Sequence, residues 1–140
     1  MGGLTLLYVG IAPTKRTKPS KGNLRKRIRY HFNGNAEGDT LRKSLGCLLA
    51  DNLGIQLRRT GKSSITFAQG ESKLSEWMDK NAFVVWTAHP KPWLLEEELT
   101  SRFSLPLNLQ KNQRHPFHNT LSAMRKQAQK RAEELPIVMS

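Results

Sequence analysis

Arg27, Tyr30 and His31 lie in a segment where Leu24, Ile28 and Phe32 recur at helical spacing. On a helical wheel the apolar stripe faces a core, and the three polar residues share one flank, half in and half out. An arginine held at the rim of a core is fixed in orientation, and its fork can grip two phosphate oxygens at once. The same position also suits an arginine that only lays its aliphatic stem on apolar surface. A second stretch, Glu96-Glu97-Glu98, has the opposite charge. With Leu95, Leu99 and Phe103 turned inward, Glu97 points to solvent while Glu96 and Glu98 flank the stripe. A carboxylate beside the core of so basic a chain either pairs with an arginine or holds a hard cation such as Mg²⁺ through oxygen.

Two further patterns carry less. His115 and His118 offer two ring nitrogens, but with no Cys or His partners a loop or phosphate contact suits them better than a metal. Gly61-Lys62-Ser63 resembles the end of a phosphate-binding loop, yet Gln56 stands where that motif needs its first glycine. The strand–loop–helix setting is missing too.

The elements that position these groups follow from periodicity and punctuation. Residues 4–11 are rich in strand formers and read as a buried strand. Pro13, Pro19 and Gly22 make the next stretch a basic loop. Asn23 caps a first helix that stops near Gly34, and Asp39 or Thr40 caps a second one carrying Leu41, Leu45, Leu48 and Leu49. Gly54 breaks that pattern. Residues 55–59 and 64–67 form a hairpin, and 71–80 a helix with Leu74, Trp77 and Met78 inward. Residues 83–86 read as a second core strand, Pro92 opens the glutamate helix, and a basic amphipathic helix spans about 119–134. This mixed order predicts an α+β domain, with a small antiparallel sheet flanked by helices. Residues 1–116 form the domain proper, and 117–140 supply a C-terminal helix packed on it or extending from it.

Composition narrows the function. The 140 residues include 23 Lys+Arg against 11 Asp+Glu, a formal net charge of +12. Such a chain attracts phosphate polyanions. No acidic residue precedes Glu37, while Lys15, Arg16, Lys18, Lys21, Arg25, Lys26, Arg27 and Arg29 crowd one short stretch. Nucleic acid is the expected partner. A single cysteine excludes an internal disulfide and a Cys-rich zinc site. Apolar runs far shorter than a bilayer span give no membrane segment, and the expected setting is cytoplasmic.

Taken in order, Tyr8-Val9-Gly10, then Asn23-Leu24-Arg25-Lys26-Arg27 with His31-Phe32, then Glu96 followed by Pro106-Leu107-Asn108, resemble the GIY-YIG nuclease family. The resemblance runs from about residue 6 to 108. Tyr8-Val9-Gly10 stands at the second signature of that family, Arg27 at its phosphate-contacting arginine, Glu96 at its metal-binding glutamate and Asn108 at its C-terminal asparagine.

The resemblance implies hydrolysis of DNA phosphodiester bonds with one Mg²⁺ or Mn²⁺. Glu96 would ligate the ion, Arg27 would stabilise the transition state, and Tyr8 would line the site. His31 would carry the proton, since an imidazole ordinarily titrates near neutral pH. Lys15, Arg16, Lys18, Lys21, Arg25, Arg29 and Asn108 would hold the nucleic acid without reading sequence. The chain departs from the family in its first strand: seven residues precede Tyr8 and none is a tyrosine. A missing N-terminal segment or a second copy in a homodimer would complete such a sheet. The alternative function is a nucleic-acid-binding module on the same fold with weak or no catalysis.

Overall fold

The computed structural model describes residues 3–12, 23–109 and 113–138. The basic loop residues Lys15, Arg16, Lys18 and Lys21 therefore lie outside the described residues. The described elements run α1 (Leu24–Asn33), α2 (Thr40–Leu48), α3 (Ala50–Leu53), β1 (Arg58–Arg59), β2 (Ile65–Thr66), α4 (Gly70–Asn81), α5 (Pro92–Arg102) and α6 (His118–Glu134). This is an α+β domain, with one two-stranded antiparallel sheet among the described residues. Arg58 faces Thr66 and Arg59 faces Ile65. No helix is long and apolar enough to cross a membrane among the described residues.

Local chemistry accounts for most boundaries. Asn23 caps α1 by accepting the Lys26 amide, and Asp39 caps α2 by accepting that of Arg42. Gly54 ends α3 at φ +65, a left-handed turn that favours glycine. Pro92 stands in the first turn of α5, where a missing N–H loses nothing. The core gathers Leu45, Leu57, Phe67, Leu74, Met78 and Leu121, with Phe32 and Trp77 packed against it. Helix α6 lies along α2 and β1, and Leu121 and Ala132 bring it into that core. Beyond it, the Val138 amide donates to Arg59 O at 2.9 Å and fastens the tail beside β1.

Two expected core strands are absent. Residues 4–11 are irregular, with Leu4, Leu6 and Leu7 exposed, and residues 83–86 leave Phe83, Val84, Val85 and Trp86 in solvent. A strand exists only when a neighbour completes its ladder, and no described residue pairs with either run along its length. Segment 3–11 is held by a smaller device. Leu107 N donates to Leu7 O at 3.1 Å. The Asn108 amide then accepts from Val9 N and donates to Val9 O, both at 2.8 Å. One side chain imitates a step of the missing ladder. The inward placement of Phe103 is also corrected: it ends α5 half-exposed, where the helix has no buried residue.

Beneath α1, the Arg42 guanidinium is completely buried. Its Nε and Nη2 donate to Glu71 Oε1 at 3.1 and 2.8 Å, and Nη2 also donates to Glu71 O at 2.9 Å. Its Nη1 donates to His31 O and Phe32 O, each at 3.0 Å, closing the last turn of α1. The other Glu71 oxygen accepts the Ala36 and Phe67 amides. Above them, His31 Nδ1 meets Asp39 Oδ2 at 2.6 Å. Burial pushes the Asp39 carboxyl up, but the hydrogen bond and charge of His31 outweigh it and hold the group below its ordinary 3.8.

Two outcomes follow. Arg42→Ala strands a mostly covered carboxylate and opens a hole in the core, and chemical denaturation is expected to show a loss of about 3 kcal/mol. Adding Glu71→Leu does not restore it, because the Ala36 and Phe67 amides lose their acceptor. A loss under about 1 kcal/mol would remove the pair from this role. The lowered Asp39 pKa means the folded state binds that proton less readily than the unfolded chain. Its stabilisation is complete above the ordinary carboxylate value and vanishes as pH falls through the lowered one. Asp39→Asn, which can still cap α2, should lower Tm at pH 7 and flatten its fall below about pH 4. An unchanged acid limb would show that the pair contributes nothing.

Candidate functional site

The clamp on Val9 sets Tyr8 against α1. Arg27 Nη2 donates to the Tyr8 hydroxyl at 3.2 Å. The rings of Tyr8 and His31 meet edge to face, 5.7 Å apart at 80°. Arg27 and His31, one turn apart on α1, are half-buried, while Tyr30 is exposed. The predicted flank thus splits: two of its three members face Tyr8 and the third faces water. Gly10 permits the approach, since a Cβ there would lie 2.9 Å from Tyr8 Cε1 and 3.3 Å from Arg27 Nε.

The Tyr8 hydroxyl feels Glu96 as the smallest of several influences. Burial pushes the Tyr8 hydroxyl above its ordinary 10.0, the Arg27 guanidinium opposes that, and the charges of Asp39 and Glu96 add to it. Glu96 on α5 is therefore close enough to Tyr8 for its charge to be felt. Tyr8 keeps its proton at neutral pH. Asp39 uses one oxygen on His31 and the other on the Arg42 amide. An ionised carboxylate only accepts, so the His31 Nδ1 carries the hydrogen and Nε2 carries the lone pair in the neutral ring.

The two glutamates that flank the stripe differ in their surroundings. Glu98 is exposed and pairs with Arg102 at 3.3 Å, the ordinary surface arrangement. Glu96 is half-buried and shares its field with Tyr8. Arg27 Nε is shut off from solvent with no acceptor, so its fork retains a donor beyond the one aimed at Tyr8.

No group of three or more His, Cys, Asp or Glu that could hold a metal occurs among the described residues. A divalent ion here would rest on one protein carboxylate, with water and substrate oxygens completing its shell. Mg²⁺ is held that way, and Glu96 suits it as a hard oxygen donor. His115 makes the loop contact instead, its Nδ1 accepting the Phe117 amide at 3.0 Å.

Asn108 departs from expectation. It is buried, with its oxygen and nitrogen both engaged by Val9, so it positions the Tyr8 segment and does not present its amide to nucleic acid. Arg25 and Arg29 stand exposed on α1, open to a polyanion. Asp39 was missed as a partner of His31. Its capping role was legible, but a cap that also reaches a ring on the preceding helix is a tertiary fact.

No curated protein and no solved structure gives a significant match to this chain. A family model described as the GIY-YIG catalytic domain matches residues 2–127, a span that includes Tyr8, Arg27, His31, Glu96 and Asn108 and extends into α6. That family's chemistry is nucleolytic, so nuclease activity on nucleic acid is implied in general. With the match spanning nearly all of the described structure, the chain belongs to the GIY-YIG catalytic domain family.

Proposed function

We propose that the protein is a metal-dependent endonuclease that hydrolyses DNA phosphodiester bonds. The observation that carries this reading is the half-buried Arg27 fork, hydrogen-bonded to the Tyr8 hydroxyl, with the His31 ring edge-to-face on Tyr8. Phosphate oxygens suit the guanidinium donors that Tyr8 does not engage, and Arg–phosphate bonds are among the strong charge-assisted ones. Exposed Arg25 and Arg29 on the same helix supply attraction to neighbouring phosphates.

Glu96 would hold Mg²⁺ or Mn²⁺ here. When bound, the ion offers charge to the phosphoryl and leaving oxygens. The chain's own groups do the rest. Arg27 binds the phosphate and meets the charge that grows on its oxygens in the transition state. Tyr8, protonated and tied to Arg27, fixes the fork and lines the site. His31, with Nδ1 anchored on Asp39, has Nε2 to take a proton from the attacking water. Asp39 holds the ring's tautomer in this scheme.

The test is nicking of supercoiled plasmid with Mg²⁺ or Mn²⁺. Arg27→Ala is expected to slow it by about 100-fold or more, the scale of losing a preorganised donor. Glu96→Ala should abolish metal-dependent cleavage while leaving DNA affinity equal or higher, because it removes a negative charge near the phosphates. Cleavage that persists in Glu96→Ala, or needs no metal, rejects the scheme. Steeply salt-dependent binding with no cleavage by the wild type would instead identify a binding module. Gly10→Ala forces Tyr8 and Arg27 apart, so it should reduce the rate about 10-fold or more with Tm nearly unchanged. Wild-type rates there would mean that the Tyr8–Arg27 contact is incidental.

A further inference from the structure

Where α6 crosses α2, a cleft of about 390 Å³ opens that shares no residue with the Tyr8–Arg27–Glu96 group. That volume falls in the range of about 300–1,000 Å³ typical of ligand sites. Lys43 of α2 lines it together with Arg125, Lys126, Gln129, Lys130 and Glu133 of α6. Four cations thus face one carboxylate. Lys43 Nζ donates to the neutral Gln129 Oε1 at 2.7 Å. Arg125 Nε is closed off from solvent and has no acceptor. The ion pairs found among the described residues are His31–Asp39, Arg42–Glu71, Lys80–Glu76 and Arg102–Glu98, and none of them involves these four cations.

Like charges gathered at a half-buried cleft repel one another and lose hydration together. Burial lowers the pKa of Lys43, Arg125 lowers it further, and the nearby Cys47 and Glu37 oppose this; burial lowers Arg125 as well. Cys47 brings no lasting negative charge, because burial pushes its thiol up and keeps it neutral. Among the described residues, Glu133 and the nearby Glu37 offset only part of this positive field.

We propose that the α2–α6 cleft is a second anion site that takes a phosphate group. Arg125 supplies its guanidinium and Lys43 its ammonium from the half-buried side, while exposed Lys126 and Lys130 close the rim. Phosphate suits donors spread over separate side chains, since it offers several oxygens in a tetrahedron. The group comes either from the backbone of bound nucleic acid or from a free phosphate compound.

The experiment uses the full chain carrying Arg27→Ala, so that cleavage and the first phosphate contact are both out of play. Thermal unfolding is followed with pyrophosphate against sodium chloride of equal ionic strength, and binding of a short DNA duplex is measured across salt. Pyrophosphate is expected to raise Tm by a few degrees beyond chloride, and Lys43→Gln or Arg125→Gln to remove that rise. Lys126→Gln, at an exposed position that leaves packing untouched, should shrink it. If the duplex binds about 5–10-fold more weakly to these variants, with a salt slope shallower by about 1 per contact removed, the phosphate is that of nucleic acid. A pyrophosphate effect with unchanged duplex binding assigns a free phosphate compound. No pyrophosphate effect together with unchanged duplex binding overturns the site, as does a Tm rise that survives both Lys43→Gln and Lys126→Gln.

Discussion

One fully buried guanidinium fixes the geometry on which the rest depends. Arg42 closes the last turn of α1 through His31 O and Phe32 O, and it joins α2 to α4 through Glu71. Withdrawing such a pair from water is expensive, and attraction alone seldom offsets it. Here the surrounding hydrogen bonds do. Donors on all three guanidinium nitrogens have partners, and both carboxylate oxygens of Glu71 have donors. Because the His31 carbonyl is tied to this hub, the ring above it starts from a fixed backbone. Asp39 then fixes the ring itself, on the residue whose other oxygen caps α2.

Tyr8 reaches the same place by a weaker route. Its segment has no ladder among the described residues, and the Asn108 amide and the Leu107 N–H take over that function at Val9 and Leu7. Three contacts over a short stretch allow more local opening than a sheet would. The site therefore joins a rigid half, α1 upon the Arg42 hub, to a lightly held half containing Tyr8. Glu96 belongs with the second, on a helix that has no buried residue.

Helix boundaries were legible because each rests on a few neighbouring residues: the Asn23 and Asp39 caps, the Gly54 stop and the Pro92 start. The same holds for Arg27 and His31, placed together by the period of a single helix. Strands were not legible in the same way. Residues 4–11 and 83–86 have the composition of buried strands, yet composition cannot supply a partner. Arg42 was hidden for a related reason. It sits beside Leu41 in an amphipathic stretch, and nothing local reveals that Glu71, far along the chain, arrives to neutralise it. Asn108 was placed by resemblance, but its work is on Val9, a contact across most of the sequence.

Arg42 and Arg27 stand on adjacent helices, one fully buried and the other half-buried, and they differ in what their nitrogens meet. Arg42 finds an acceptor in the protein for each nitrogen, which marks a structural group. Arg27 leaves Nε without one. An unpaired donor alone does not define a site, since Arg58 and Arg59 share that feature. Arg58 Nη2 donates to Pro136 O and Arg59 Nη2 to Leu135 O, so both hold the C-terminal tail beside β1. What sets Arg27 apart is convergence. Its fork points at a protonated phenol that also feels Glu96 and borders an anchored imidazole. The proposed reaction needs all of them: a group to bind an anion, one to place a cation and one to move a proton.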